Sequence, residues 1–354
     1  MKRVTLTQEQ QQKINELSKN VANNGDCTRT FEVDLTEFVN SLPDNAVLLS
    51  LLTSTDKNRK YVGVYGLSIY YRHLMEYDDL EQLLDEYEPE FSTFQSIGHL
   101  RTLFYLDSEE EYSLEEVQGH LDKASKVAKQ YKNMAKQLPN INVAGSQHAF
   151  ADLFATYCER YESLQSEIVG KWYKQALSAV EEAIRLSPEY AKYYCTKGRI
   201  LSQMHDYDTA LNYVQKAIRL ESPTANKNNY SLRILQYQSH KVNIQARYQI
   251  YELNTQQAKI NEDISHMKGT LLSNIEILGF FSGIISFIIG SLTLANGQTA
   301  KDAAALILIL LGALLVVFDC FGFLLHANSK NTLVRIIVLI LGVSIVVGGV
   351  CVVW

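Results

Sequence analysis

Proline is scarce in this chain, five in 354 residues, so helix breakers are few; with 21 tyrosines this fits a mostly helical body. Paired cysteines are missing as well. Cys27, Cys158, Cys195, Cys320 and Cys351 lie far apart with no CxxC among them. That spacing argues against a disulfide framework or a zinc site and leaves reduced thiols in a cytosolic chain. Basic residues almost vanish between Glu76 and Glu116, where fourteen acids accompany a single base, Arg101. A surface of that sign repels phosphate backbones, so no nucleic-acid partner is expected. The opening "MKRVTLTQEQQQKINELSKN" has a basic start but no apolar stretch behind it, so a secretory signal is not expected.

Catalytic signatures are absent too. No GxxxxGK, GxGxxG, HExxH or GxSxG occurs, and His73, His99, His120, His148, His205, His240, His266 and His326 are scattered without ligand spacing. The carboxylates of the acidic stretch stand at helix-surface intervals among leucines and tyrosines, which suits a solvated face better than a catalytic pair. The expectation is a binding protein with no enzymatic activity, no cofactor and no metal.

What the chain does contain is a repeat. "ALSAVEEAIRLSP" from Ala176 and "ALNYVQKAIRLESP" from Ala210 superpose at an offset of 34 residues, pairing Val180 with Val214 and Ala183 with Ala217. In "YYCTKGRILSQMHDYDTALNYVQKAIRLESP", Tyr193 to Pro223, Gly198 stands where one helix must be small to let the next close on it. Tyr194 and Leu201 supply bulk, Tyr207 opens the second helix, and Ala210 and Ala217 are small contact residues. A 34-residue period of two helices resembles the tetratricopeptide repeat (TPR). The match runs over about 68 residues, from near Tyr157 to Pro223, with Leu164 where the upstream repeat should carry glycine. Pro188 and Pro223, each after a serine, read as helix starts with serine caps.

The resemblance implies an all-α, TPR-like helical-repeat solenoid whose ligand lies in a concave groove lined by the first helix of each pair. In that register Lys192, Cys195, Thr196 and Arg199 face the groove from one repeat, and Asn226, Asn229, Tyr230 and Arg233 from the next. Arg199 and Arg233 are again 34 apart, so stacked guanidinium groups would suit a carboxylate or phosphate. The partner expected is a protein or a small anionic ligand.

Residues 1–140 read as helical hairpins, degenerate repeats that complete the stack, with 141–228 as the clearer repeats. Capping boxes are expected at Thr7 with Gln10 and at Ser113 with Glu116, and Ile14, Leu17 and Val21 share one face. From 229 to 276 the spacing becomes heptad-like. Ile250, Leu253, Gln257, Ile260, Ile264, Met267, Leu271, Asn274 and Leu278 follow alternating steps of three and four. Two readings stand here: a coiled-coil stalk joining copies in a homo-oligomer, or one long helix covering the open end of the last repeat.

Residues 277–354 form the apolar tail; counted from Glu276 it holds three acids and three bases, so the formal charge of −6 belongs to the first 275 residues. Ile277–Ala295, Ala303–Leu325 and Val334–Trp354 are apolar and long enough to cross a hydrocarbon core of ~30 Å. Three spans would make this a multi-pass membrane protein in contact with lipid. The positive-inside bias places the repeats in the cytosol, at a bacterial inner membrane. Gly279, Gly283, Ser286 and Gly290 share a face of the first span for close helix packing, within the chain or between copies. Asp319, inside "LLVVFDCFGFLL", is costly in lipid and invites a partner such as His326 or Arg335, a gating role, or simple protonation. A soluble array, stalk and aspartate-bearing bundle also resemble the membrane-disrupting effectors of bacterial anti-phage defence, which would make the tail pore-forming instead of an anchor.

Overall fold

The computed structural model describes residues 6–23, 25–161, 163, 165–223, 227–295, 299–325 and 332–353. Leu164, Asn226, His326, Trp354, most of the two turns between the apolar segments and the side chain of Arg335 lie outside the described part. The chain divides into two compact units, Met1–Tyr251 and Glu252–Trp354. The fold is all-α: among the described residues the single β feature is an isolated bridge between Thr28 and Ile141.

Unit 1 contains α1 (Gln8–Ala22), α2 (Arg29–Ser41), α3 (Ala46–Leu51), α4 (Lys57–Leu74), α5 (Tyr77–Tyr87), α6 (Gln95–Asp107) and α7 (Leu114–Met134). It continues with α8 (Val143–Arg160), α9 (Gln165–Leu186), α10 (Ala191–Ser202), α11 (Tyr207–Leu220) and the first part of α12 (Lys227–Ala295). Both capping boxes form, on Thr7 with Gln10 and on Ser113 with Glu116. Ile14, Leu17 and Val21 are buried together.

The helices make two rows. In the inner row α2 touches α4, α4 touches α6, α6 touches α8 and α8 touches α10. Outside it, α5, α7, α9 and α11 each pair with the preceding inner helix. Inner helices are covered on nearly every side. α4 buries nine consecutive residues, Tyr61 to Ile69, and α8 buries fourteen of its eighteen, so neither carries a one-sided apolar stripe. Each fully buried Phe or Leu in such a row contributes about 1.5–3 kcal/mol.

The clearest repeat is α10 with α11. A Cβ on Gly198 would lie 2.7 Å from both the Ala210 carbonyl oxygen and Val214 Cγ2, so only glycine lets these helices approach so closely. Tyr194, Leu201, Tyr207, Ala210, Val214 and Ala217 are all buried around that contact. The preceding pair departs from the period. A shift of 34 from Tyr207 puts the earlier outer helix at 173, yet α9 already begins at Gln165. The same shift puts the earlier inner helix at 157–168, whereas α8 spans Val143–Arg160. The turn therefore comes about eight residues early, and only the end of α9 keeps the register.

The serine-proline steps do not open helices as the sequence suggested. Ser187 donates its N–H to the Ala183 carbonyl (3.0 Å) and closes α9, while α10 starts later, after Tyr190, without a side-chain cap. Pro223 likewise sits in the turn after α11.

The segment 229–276 has two fates. Up to Tyr251 it covers α11: Tyr237 and Ile244 are buried and Tyr248 stacks on Tyr207 with centroids 5.2 Å apart. From Leu253 the heptad residues are bare, with Leu253, Ile260, Met267, Leu271 and Leu278 all more than half exposed.

Unit 2 holds the rest of α12, α13 (Ala300–Leu325) and α14 (Thr332–Val353). α13 and α14 meet backbone to backbone. A Cβ on Gly312 would stand 2.6 Å from the Gly342 carbonyl, and one on Gly349 would stand 3.0 Å from that of Ala305. Within α12, Gly283 faces Phe318 and Leu314, and Gly290 faces Leu310. Apolar side chains elsewhere point outward: Phe281, Ile289, Leu292, Val317, Ile340 and Val347 are more than half exposed. Among the described residues two helices, within Asn229–Thr293 and Ala300–Asp319, are long and apolar enough to cross a membrane, and Ile336–Val352 is a shorter apolar helix.

Candidate functional site

The inner row of unit 1 bounds a cavity of about 960 Å³. Side chains from α2, α4, α6, α8 and the turns before α8 and α10 line it, so the concave face is built by the elements that the resemblance assigns to a groove. At one wall Glu32 on α2 accepts from Asn142 Nδ2 (2.8 Å), from Arg29 (3.1 Å) and, at longer range, from Tyr65 (3.5 Å). Beside it Arg72 on α4 clasps Asp107 on α6 at 2.6 Å. His99 sits between these pairs, buried, with Nε2 3.7 Å from Glu32 and Nδ1 unpartnered among the described residues. Burial lowers its pKa, so the ring is neutral.

At the other wall the cavity reaches Lys192, Tyr193 and His148. Here the sequence-selected residues come together, though not as a free cationic patch. Asp152 on α8 is buried and receives Lys192 Nζ (3.0 Å), Thr196 Oγ1 (3.1 Å) and Arg199 Nη1 (2.5 Å). Arg199 also reaches Glu159 at 2.7 Å and donates to Thr156 Oγ1 at 2.9 Å. Because Thr196 donates its hydroxyl to Asp152, its oxygen accepts the bond from His148 Nε2 at 3.0 Å, which assigns the Nε2–H tautomer.

The electrostatics follow from this packing. Burial lowers the His148 pKa to about 3 and that of His240, near Glu159, to about 4, so both rings are neutral near pH 7. Burial alone would raise the Asp152 carboxyl, but Lys192, His148 and Arg199 more than reverse that and hold it well below the usual range. Two cations and two carboxylates then cancel. Asp152 in turn raises the Lys192 ammonium pKa, and Lys192 keeps much of its side chain in solvent. Cys195 is buried, its thiol pushed up to about 12, so it is protonated and inert.

The second set of groove residues does not join this cluster. Arg233 pairs with Glu221 at 3.2 Å, and Glu221 also accepts from Tyr237 at 2.9 Å. Asn229 is exposed and Tyr230 half-buried on α12. The stacked pair of guanidinium groups is thus replaced by two separate ion pairs, each with its own acid. Sequence reasoning missed Asp152, Glu159, Glu32 and His99. A signal existed for the first two: Asp152, Thr156 and Glu159 recur at steps of four and three on one face of α8, opposite the 192, 196, 199 face of α10.

In unit 2, Gly283 and Gly290 pack within the chain, Gly279 and Ser286 lie on the same helix, and Asp319 is half-buried on α13 with no bonded partner among the described residues. The small stripe that most tightly joins two helices is Ala305 and Gly312 against Gly342 and Gly349, two pairs each seven residues apart that the sequence reading did not single out.

Comparison with known proteins agrees with the best-formed hairpin. The tetratricopeptide repeat family matches residues 191–223, which are α10, α11 and the turn after them. The match supports a TPR-like hairpin at this place. The match is about half the stretch over which the sequence suggested the resemblance, as expected once the hairpin before it has lost the period. No curated protein and no solved structure matches the chain.

Proposed function

We propose that this chain is a non-catalytic interaction protein that holds a protein partner at a membrane, with the cavity of unit 1 as the binding site. The observation that carries the reading is the cavity of about 960 Å³ on the inner face of the helix stack, lined by the paired charges of Arg29 with Glu32 and Arg72 with Asp107 and by Leu103, Leu106 and Ile141. Because Lys192 and Arg199 are already neutralised, the site suits a peptide segment with apolar side chains and backbone donors better than a small anion. A phosphate on Arg199 would have to displace buried Asp152 and half-buried Glu159, none of the three being among the residues that line the cavity. The acids between Glu76 and Glu116 favour a basic surface around the bound segment.

The membrane part of the proposal rests on the outward-facing apolar side chains of unit 2 and on the glycine contacts that close α13 against α14. Three spans, with the repeats in the cytosol, is the topology proposed. A partner that copurifies with the full chain should be lost on Leu103→Arg, which fills the cavity with charge, and retained with Arg233→Ala. Loss with Arg233→Ala and retention with Leu103→Arg would move the site away from the cavity. Protease added outside intact cells should spare the repeats.

A second reading is favoured by Asp319, a carboxylate far along α13 from that helix's other charges, Lys301 and Asp302 in its first turn: the tail is a membrane-disrupting defence effector triggered through unit 1. Overproduction should then depolarise cells, and Asp319→Asn should abolish the effect. Normal membrane potential during overproduction would reject it.

A further inference from the structure

We infer that the bare heptad face from Leu253 to Leu278 is the contact between two copies of this chain, paired parallel and in register. The inference deepens the membrane reading, on which it depends only for the shared direction of the two helices. With Ile250 at position a, the a positions are Ile250, Gln257, Ile264, Leu271 and Leu278, and the d positions are Leu253, Ile260, Met267 and Asn274. Ile264 is 44% exposed and Leu253, Ile260, Met267 and Leu271 are 52–64% exposed, so the whole stripe lacks cover. The opposite side of the helix carries Glu252, Thr255, Lys259, Glu262 and His266, which belong in water. A stripe that stays on one face for four heptads at a period of 3.5 fits a partner helix of the same period.

Three features select a second copy, parallel and unshifted. The flanking positions e and g carry one acid and one base over this stretch, Asp263 at g and Lys268 at e. In a parallel pair a g residue meets the e residue five places later on the other helix, so Asp263 of each copy reaches Lys268 of the other, twice by symmetry. An antiparallel pair brings g to g and e to e and separates these charges. Both side chains are exposed, and neither has an ion-pair partner among the described residues. The polar seam positions give the register. Only an unshifted pair sets Gln257 against Gln257 and Asn274 against Asn274, where the amides can bond each other; a slip of one heptad opposes each amide to an apolar residue. Finally, the stripe runs straight into the apolar end of α12, and two copies inserted in one membrane with one topology enter it side by side in the same direction.

The test is disulfide capture in the full chain, solubilised in mild detergent and oxidised. Ile264→Cys, at a seam position, should yield a product of doubled mass at least tenfold more than Glu262→Cys, on the outer face, or the unsubstituted chain. Equal yields, or none from Ile264→Cys, would overturn the pairing. Adding Asp263→Lys to Ile264→Cys should cut the yield several-fold, and adding Lys268→Asp as well should restore it; indifference to both changes would overturn the parallel register. Light scattering of the detergent complex should give two chains, and three or more would overturn the two-stranded form. Failure here with membrane retention intact would leave the anchor reading standing, so the two are separable.

Discussion

The two units of this chain solve the placement of apolar residues in opposite ways. Unit 1 turns them inward and spends its buried charges in pairs: Asp152 with Lys192 and Arg199, Arg101 with Asp85 and Glu88. Unit 2 turns glycine and alanine inward and leaves isoleucine, phenylalanine and valine outside. In water the second arrangement forfeits the hydrophobic term that holds the first together. In lipid nothing is forfeited, since tails and side chains are equally apolar and close backbone packing decides which helices meet. On the proposed membrane reading the contrast is one of solvent, and the difference in sequence between the units is its record.

Breaking the inward side should cost most at the charged cluster. Arg199→Ala removes one of two cations from buried Asp152, which keeps Lys192 and Thr196, and the close ion pair of half-buried Glu159; it should lower the stability of unit 1 by about 2–3 kcal/mol, read as a drop in the unfolding midpoint of the full chain. Replacing Arg199 and Asp152 together by Met and Leu should cost much less, and equal losses would mean that packing, not charge, holds α8 to α10. Next in size is Gly198→Val, which drives a side chain into the Ala210 carbonyl; about 1–3 kcal/mol is expected, where a surface glycine such as Gly119, with open space around it, should tolerate the change.

Acid gives a related effect. The folded pKa of His148, about 3, lies below the unfolded value near 6.5, so below that value the unfolded chain takes up a proton that the folded chain refuses. Stability is full above pH 6.5 and falls as pH drops toward 3, by about 2 kcal/mol at pH 5 from this residue alone. His148→Gln should flatten that slope, and an unchanged slope would show that His148 is solvated. Smallest should be Arg233→Ala: Arg233 is 44% exposed, and the covered Glu221 keeps its bond from Tyr237, so the expected loss is about 1 kcal/mol. A loss as large as that of Arg199→Ala would erase the distinction between buried and surface pairs within unit 1.

The sequence disclosed the outer helices more readily than the inner ones, for a physical reason. α1, α5, α7, α9 and α11 each keep one wet face, so their apolar residues recur at helical intervals and can be counted. α4 and α8 are packed on almost all sides, which erases that rhythm, and no stripe marked either. The period itself was sound for α10 and α11 because Gly198 and Ala210 must touch. It misled one hairpin upstream, where α9 is extended toward its start and the turn shifts with it. Lys192, Thr196 and Arg199 meet at Asp152, and their meaning depends on Asp152 and Glu159, which a groove drawn from α10 alone does not reveal. The tail was legible from length and apolarity, whereas the contact of Gly312 with Gly342 needed three dimensions.

Membrane residence of unit 2 is the claim from which the rest descends, and one fractionation addresses it. Membranes from cells expressing the full chain would be washed with alkaline carbonate and then with mild detergent. Retention through the carbonate wash and release by detergent is the expected result. Recovery of the intact chain in the carbonate supernatant would contradict it, and the outward-facing side chains of α12, α13 and α14 would then need a protein partner to cover them.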